Sequence, residues 1–248
     1  MYIVLAVFAV HWYLSLFCQT FFLHRYSAHK MFIMSKPWER FFYLLTYLSQ
    51  GSSYLSPRAY AILHRMHHAF SDTERDPHSP HHTKNVFTMM WETKDIYNAV
   101  LNRKRVVEAQ FERNYPEWNL IEKLGDSWMS RVLWGLLYIA FYLVAYFYLD
   151  MHWVFFFLIP IHLLMGPIHG AIVNWSGHKY GYQNFDNQDK SKNSLIFDFL
   201  MMGELFQNNH HKRPNSINFG SKWFEIDPTY PVIKLLSKMK VIEIRKKN

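Results

Sequence analysis

The chain has 248 residues and a formal net charge of +8, and apolar residues make up 50% of it and aromatic residues 19%. The apolar residues are concentrated in three uncharged stretches, each close to the length of about 20 residues that crosses a bilayer, which excludes an ordinary water-soluble fold. The single cysteine, Cys18, excludes an internal disulfide, a cysteine-based zinc site and an iron–sulfur cluster, and the scattered basic residues match no nucleic-acid-binding module, so we expect no nucleic-acid partner.

The predicted membrane spans begin at the N-terminus. In chain order they are residues 1–23, 132–149 and 152–174. The second and third are separated only by a short connection around Asp150, which predicts a tight helical hairpin. The first has no basic region and no small-residue cleavage site, so it is not predicted to be a signal peptide.

The basic residues set the predicted orientation in the membrane. All 27 lysines and arginines lie in residues 25–131 and 179–248. Because cytoplasmic segments carry an excess of Lys and Arg, we predict that both segments face the cytoplasm. The predicted fold is therefore a single domain, 1–248, of the all-α integral membrane class. It has about three transmembrane helices, interfacial helices and a cytoplasmic histidine-rich cap.

Two further segments are predicted to lie at the membrane interface. Residues 38–63 have an apolar core, Phe41–Leu48, that is too short to cross a bilayer, so an interfacial or re-entrant helix is expected. Residues 85–118 alternate apolar and charged residues in a helix-like pattern and predict interfacial helices.

Eight of the fifteen histidines fall in three clusters and at one isolated position, all just outside the apolar stretches. They are His24, His29, His64, His67, His68, His178, His210 and His211. Imidazole is the commonest metal ligand near neutral pH, and eight imidazoles are too many for one ion. A lone histidine is usually a packing residue, but eight on one predicted membrane face indicate two metal ions.

Helical spacing predicts which of the earlier histidines share a face. His64, His67 and His68 are three and four residues apart, so we expect all three to converge on one edge of a helix. His24 and His29 are five apart, which separates them by about 140° on a regular helix. We therefore expect His24 and His29 to serve two different metals.

The later histidines repeat these spacings. Gln207, His210 and His211 have the same spacing as the second cluster, and Asn174 and His178 are four apart on one face. The other seven histidines are expected to have other roles. His11, His162 and His169 pack between spans or act within the membrane, and His152 lies at the interface. His78, His81 and His82 lie in a proline-rich loop, where a solvated position is expected ahead of the alternative, a metal ligand.

An all-nitrogen ligand set suits iron, zinc or copper. Two adjacent iron ions can reduce O2 to an oxidant that attacks an unactivated C–H bond, whereas zinc has no redox chemistry. The pattern therefore favours oxygen chemistry at a membrane surface.

The histidine boxes resemble those of the integral-membrane fatty acyl desaturases, especially the acyl-CoA Δ9 (stearoyl-CoA) type. That family carries HxxxxH, HxxHH and HNxHH boxes, which match the three clusters, and an NxxxH element, which matches Asn174 and His178. Flanking residues also agree, namely the run from Asp72 through Asp76 to His78 after the second box, Glu204 before the third box, and Asp227 in the tail.

The resemblance implies a histidine-bound di-iron centre that uses O2 and external electrons to introduce a cis double bond, expected at Δ9, into a saturated acyl chain. It implies an acyl-CoA or acyl-lipid substrate, a ferredoxin or cytochrome b5-type donor, and a multi-pass protein with a cytoplasmic active site. Asn174 is expected to approach a metal through water. The family's first helix has no expected counterpart here, which favours a bacterial inner membrane over endoplasmic reticulum.

The third box departs from the family, because Gln207 stands where a ninth histidine ligand is usual. Its carbonyl is expected either to bind the metal or a metal-bound water, or to lie behind the ligands. Two alternatives stay open. One is a related di-iron hydroxylase of fatty acids, alkanes or carotenoids, and the other is a non-catalytic metal-binding membrane protein. A zinc hydrolase would need no redox partner.

Overall fold

The computed structural model describes residues 2–245, so residue 1 and residues 246–248 of the predicted domain lie outside the described residues. The chain is mostly helical. Its α-helices are α1 (Tyr2–Phe17), α2 (Lys36–Gln50), α3 (Pro57–Phe70), α4 (Val86–Leu101), α5 (Asn119–Asp126), α6 (Trp128–Tyr148), α7 (Ile159–Leu163), α8 (Met165–Ala171), α9 (Gly177–Lys179), α10 (Gln207–Lys212) and α11 (Thr229–Lys238). Two π-helices, Cys18–Ala28 and Ile172–Ser176, two 3₁₀ turns, Gly51–Ser53 and Trp153–Leu158, and two strands, β1 (Phe32–Met34) and β2 (Ile242–Ile244), complete it.

Among residues 2–245, two continuous helices are long and apolar enough to cross a membrane. They are Tyr2–Ala28, which joins α1 to its π-helix, and α6. The first runs five residues past the predicted end of its span at residue 23. Leu133, Leu137 and Phe147 of α6 are each more than half exposed, as expected of side chains that face lipid.

The predicted third span is a bent pair of helices. Trp153–Leu163 and Met165–Lys179 meet at 76°, so this segment is either a broken span or a re-entrant loop. The predicted span over 152–174 is therefore not a continuous helix, although a broken span agrees with it. Pro167 has no N–H to donate to the carbonyl of Leu163, and the helix breaks between these residues, at Leu164.

The main core joins the first helix to α2 and to the small sheet. Phe21 stacks on Phe32 of β1 and contacts Phe42 of α2, and all three side chains are buried. Phe32 pairs with Ile244 in an antiparallel register. An all-helical prediction does not include this pairing, which ties the C-terminal segment to the helix that carries His24.

The predicted interfacial segments differ from each other. α2 has 15 residues, fewer than a bilayer crossing needs, in agreement with the absence of a span over 38–63. Of residues 85–118 only α4 is helical, and the rest forms turns. The prediction is wrong there because Arg103 and Asn114 adopt positive φ and Pro116 follows.

The intramembrane histidines pack between helices. His11 Nδ1 lies 2.5 Å from His162 Nδ1, and His162 Nε2 lies 2.9 Å from the Tyr142 hydroxyl. These contacts join α1, α6 and α7.

Candidate metal centre

Five of the eight histidines form one group. Their ligand atoms lie within 4.8 Å of one another, and the members are His24, His29, His64, His68 and His210. The Nε2 atoms approach closely, at 2.8 Å for His29 and His64 and 2.9 Å for His68 and His210. One metal ion could be held at this point.

His24 and His29 belong to the same group, so the prediction that they serve different metals is wrong. The helix is wound as a π-helix from Cys18 to Ala28, and the His29 N–H donates to the His24 carbonyl five residues earlier at 3.1 Å. Residues five apart are therefore stacked. π-Helical turns are rare and are often found at functional sites.

Three histidines form the second group, namely His67, His178 and His211. His67 Nε2 lies 3.2 Å from His211 Nε2. The expected convergence of all three α3 histidines on one edge is also wrong. His64 and His68 share a face of α3, but His67 is rotated by about 100° from His68 and joins the other group.

Local hydrogen bonds fix the positions of α3 and α10, the helices that carry the second and third histidine clusters. α3 begins with Pro57 at its first position, and the Ser56 hydroxyl accepts a hydrogen bond from the Ala59 N–H, which is a standard N-terminal cap. α10 is short, and two buried asparagines anchor it. Asn208 Oδ1 accepts from two loop N–H groups, and Asn209 donates to the Glu225 carboxylate. Neither asparagine has a predicted role in the sequence.

Four carboxylates accept hydrogen bonds from the Nδ1 atoms of four of these histidines. The pairs are His24 with Glu204 at 2.6 Å, His67 with Asp76 at 2.9 Å, His178 with Asp72 at 2.9 Å and His211 with Asp189 at 2.6 Å. A carboxylate only accepts, so each Nδ1 carries the proton and each Nε2 keeps its lone pair for a metal.

Asp189 is a functional residue that the sequence does not predict. Asp72, Asp76 and Glu204 were quoted only as residues that flank the boxes. Asp189 lies 22 residues before its partner His211, in a polar loop without any recognisable motif, so no sequence signal could have identified it.

The electrostatics favour neutral imidazoles and ionised carboxylates. Burial and the neighbouring imidazoles lower the pKa of His64 and His68 well below the ordinary 6.5. Burial alone would raise the pKa of the carboxyls, but hydrogen bonds and charge from the histidines hold the pKa of Asp72, Asp76 and Asp189 below its usual value. Neutral imidazole is the form that binds metal.

A buried ion pair next to His24 is connected to Glu204, the carboxylate that accepts from His24. Arg25 donates to Asp227 at 2.7 Å, and neither side chain is exposed. Arg25 also donates to the Thr20 hydroxyl, which in turn donates to Glu204. The tail residue Asp227 thereby connects to the carboxylate that orients His24.

The loop histidines were predicted to be solvated, and this is wrong for His78. Its ring is buried and lies 4.4 Å from the His67 ring, centroid to centroid, because the loop folds back over α3. Burial lowers the pKa of His78 to about 3. His81 Nε2 lies 2.9 Å from the carbonyl of His178, whereas His82 is exposed.

A cavity of about 1310 Å³ adjoins the histidine groups, between α4, α6 and α8. His64, Asn174 and Gln207 form part of its wall, together with apolar residues such as Leu136 and Ile139. The side-chain amide of Gln207 donates to the Glu204 carbonyl at 2.6 Å. The cavity exceeds the usual range of about 300–1,000 Å³ for small-molecule sites, so it has room for a long ligand.

The residues present fit a pair of transition-metal ions. Both groups consist of buried or half-buried imidazoles, and four of the rings have Nδ1 fixed by a carboxylate. The Nε2 atom of His178 is buried and has no hydrogen-bond partner among residues 2–245. Such orphaned atoms are rare unless a ligand satisfies them.

Comparison with known proteins identifies the family. The fatty acid desaturase family model matches residues 1–246. This chain belongs to the fatty acid desaturase family. It is therefore an oxidoreductase, and the apolar helices agree with a membrane protein.

Individual relatives are distant but cover most of the chain. The chain is 28% identical to the Delta-9 desaturase-like 5 protein of Arabidopsis thaliana, over 87% of this chain and 68% of that protein. It is 27% identical to the Hex-5-enoyl-[acyl-carrier protein] acetylenase of Moorena producens, over 93% and 73%. It is 28% identical to the sn-1 stearoyl-lipid 9-desaturase of Synechocystis, over 86% and 62%. The names differ in reaction and in acyl carrier, and all fit an acyl substrate.

Proposed function

We propose that this protein is an O2-dependent acyl desaturase that introduces a cis double bond at the Δ9 position of a saturated chain, with two histidine-bound iron ions. One observation carries the proposal: eight imidazoles in two adjacent groups border a cavity large enough for an acyl chain. Bound iron would supply the chemistry that activates O2. In the overall balance, O2 receives two hydrogens from neighbouring methylenes and two electrons and two protons from the donor side, and it leaves as two waters.

The eight histidines would hold the two metal ions in two separate groups. His24, His29, His64, His68 and His210 would hold one ion, and His67, His178 and His211 the other. The four carboxylates keep a proton on Nδ1 and so turn each Nε2 towards the metal. Asn174 and Gln207, both on the cavity wall, are proposed to contact a metal or a water beside it.

The cavity wall positions the substrate. Apolar side chains of α4 and α6, such as Met90, Leu136 and Ile139, would hold the methylene chain against the histidine groups and exclude water from the reactive atoms. The carrier is proposed to be CoA or a lipid. One relative is named for an acyl-carrier-protein substrate and another for a lipid substrate. The identity of the carrier is therefore tested separately from the reaction.

The proposed topology follows from charge. The excess of Lys and Arg in 25–131 and 179–248 supports a cytoplasmic, histidine-rich cap with interfacial helices. The chain is further proposed to be one domain in a bacterial inner membrane rather than in the endoplasmic reticulum. The same basic face suits an acidic electron donor of the ferredoxin or cytochrome b5 type.

The test is the fatty-acid profile of cells that express the chain together with a competent donor. We expect a new monounsaturated acid whose dimethyl disulfide adduct maps the double bond to Δ9. The His67→Ala variant should lose this product, and His152→Ala, an exposed histidine distant from both groups in sequence, should keep it.

The outcomes separate the parts of the proposal. Absence of any new unsaturated product from the wild type with its donor contradicts the proposed activity. A new double bond at another position contradicts only the Δ9 assignment. A hydroxylated product in place of an unsaturated one favours a related hydroxylase.

A further inference from the structure

Residues 195–203 form a loop with an apolar outer surface, here called the apolar loop. Its one charged residue, Asp198, is fully buried. Five of its side chains are exposed and all five are apolar, namely Leu195, Ile196, Phe197, Phe199 and Leu200. A contiguous exposed apolar patch marks a contact with lipid or with another protein, so the position of the loop decides between the two.

The inner side of the apolar loop packs against two helices of the membrane region. Met201 is buried in one cluster with Leu16 of α1 and with Val173 of the π-helix Ile172–Ser176. The Trp12 indole N–H donates to the Leu200 carbonyl at 3.2 Å. The loop is therefore held against the first candidate membrane span.

Trp12 indicates the depth of the loop. It lies within the candidate span Tyr2–Ala28 and precedes His24 by twelve residues, which is at most about 18 Å of helix at 1.5 Å per residue. The Leu200 carbonyl is thus beside the apolar part of the span and not level with His24. The medium at that depth is lipid.

The backbone of the apolar loop is hydrogen-bonded from within. The Asp198 carboxylate accepts from the N–H of Met201 at 2.9 Å and from the N–H of Leu205 at 2.7 Å. The Asp198 carbonyl accepts from the N–H of Gly203 at 3.0 Å. Non-helical backbone is tolerated at membrane depth only where it packs against protein and its polar groups are satisfied, so these bonds suit a loop that enters lipid.

A second exposed segment next to the loop has the composition of a membrane interface. Phe197 pairs with Ile226 in a single parallel bridge. Trp223, three residues before Ile226, is 93% exposed, and Lys222 is exposed beside it. Trp is enriched where a membrane meets water, and Lys at that level attracts anionic lipids.

We propose that the apolar loop inserts into the leaflet nearest to the histidine groups, with Ile196 and Phe199 among the lipid acyl chains and Trp223 at the headgroups. This contact is additional to the membrane-spanning helices and does not depend on the proposed reaction. The loop runs directly into Glu204, whose carboxylate accepts from His24 Nδ1. Lipid around the loop would therefore also help to hold the carboxylate that orients His24.

The test is the environment of a fluorescent label on the loop, measured on the purified full chain in lipid nanodiscs. Phe199→Cys and, separately, Ile196→Cys are labelled with a small environment-sensitive thiol dye. Cys18, the single native cysteine, is buried, so the unsubstituted protein should take up no label and serves as the blank. Leu137→Cys, at an exposed apolar position of α6, is the control for lipid. Glu74→Cys, at an exposed position in the loop after α3, is the control for water.

We expect both loop labels to behave like the label on α6. Their emission should be shifted to shorter wavelength relative to the label at Glu74. Replacing part of the bilayer with nitroxide-labelled lipid should cause a loss of their fluorescence, whereas iodide in the buffer should quench only the label at Glu74.

Two results would overturn the proposal. It is wrong if the loop labels emit at the wavelength of the label at Glu74 and are quenched by iodide, since the loop then faces water. It is also wrong if neither nitroxide lipid nor iodide quenches them, because another protein surface, such as a second copy of this chain, then covers the loop. Folding of each variant is checked by circular dichroism, and Ile196→Cys carries the test if Phe199→Cys does not fold.

Discussion

The carboxylate at Asp189 allows a sharp test of how the second histidine group is built. Asp189 Oδ2 accepts from His211 Nδ1 at 2.6 Å, and the two side chains are 14% and 2% exposed. Asp189→Asn removes the charge that fixes the His211 tautomer, while the remaining Oδ1 can still accept from the Ser191 N–H. The local loop should therefore keep its fold.

The expected magnitude follows from the role of the pair. Loss of a group that orients a histidine ligand typically costs about 10–100-fold in metal affinity, which corresponds to about 1.4–2.7 kcal/mol. Because His211 is almost fully buried, water cannot replace the carboxylate well, and we expect the upper half of that range for the second metal ion only.

The assay is a chelator-competition titration with cobalt(II) or iron(II) on purified protein. Asp186→Asn, an exposed aspartate in the same loop, is the matched control and should bind both ions as the wild type does. Wild-type affinity of Asp189→Asn for the second ion would refute the orienting role of this carboxylate.

Three further predictions concern the cavity, the buried ion pair and pH. Gly170 lines the cavity, and a Cβ there meets no atom within 4 Å. Gly170→Leu should therefore fold, fill part of the cavity and shift the products towards shorter acyl chains. An unchanged chain-length profile in mass spectrometry would contradict this. Asp227→Asn leaves the buried Arg25 charge with only Glu204, 3.5 Å away, as a carboxylate partner. It should cost about 3 kcal/mol of stability, the lower end of the range for a broken buried pair, seen as a lower melting temperature in detergent. Glu108→Gln, in an exposed pair with Arg75, should cost at most about 1 kcal/mol. The pKa of His64 in the folded protein lies well below 6.5, so the unfolded chain takes up protons first as the pH falls. Metal-free protein should therefore melt at progressively lower temperature below about pH 6.5. A melting temperature that does not change between pH 7 and pH 5 would argue against neutral buried imidazoles.

The histidine boxes were identifiable from sequence because they are short and dense. Their division between two groups was not, since it depends on how the backbone is wound. His24 and His29 converge only because the helix becomes a π-helix with bonds five residues apart, and nothing in the local sequence requires that winding. His67 separates from His68 by simple helical rotation, which sequence reasoning could have found from the 100° step.

Contacts between residues that are far apart in the sequence were not predicted, for a different reason. Asp189, and the burial of His78, depend on loops that fold back over α3 and α10. Loop composition does not reveal such contacts, because a polar loop is equally compatible with solvent. Pro167 lies three residues after the bend at Leu164, but a proline within an apolar stretch does not by itself predict a break, because membrane helices tolerate proline.

The most direct test of the central claim is the reaction of purified, iron-loaded protein with a saturated stearoyl substrate, an electron donor and oxygen-18 gas. The account predicts a monounsaturated product that is lighter than the substrate by two hydrogens, with the oxygen-18 recovered only in water. The yield should depend on O2 and disappear in the His67→Ala protein. A product that carries oxygen-18, or a wild-type protein that binds iron and leaves the substrate unchanged, would contradict it.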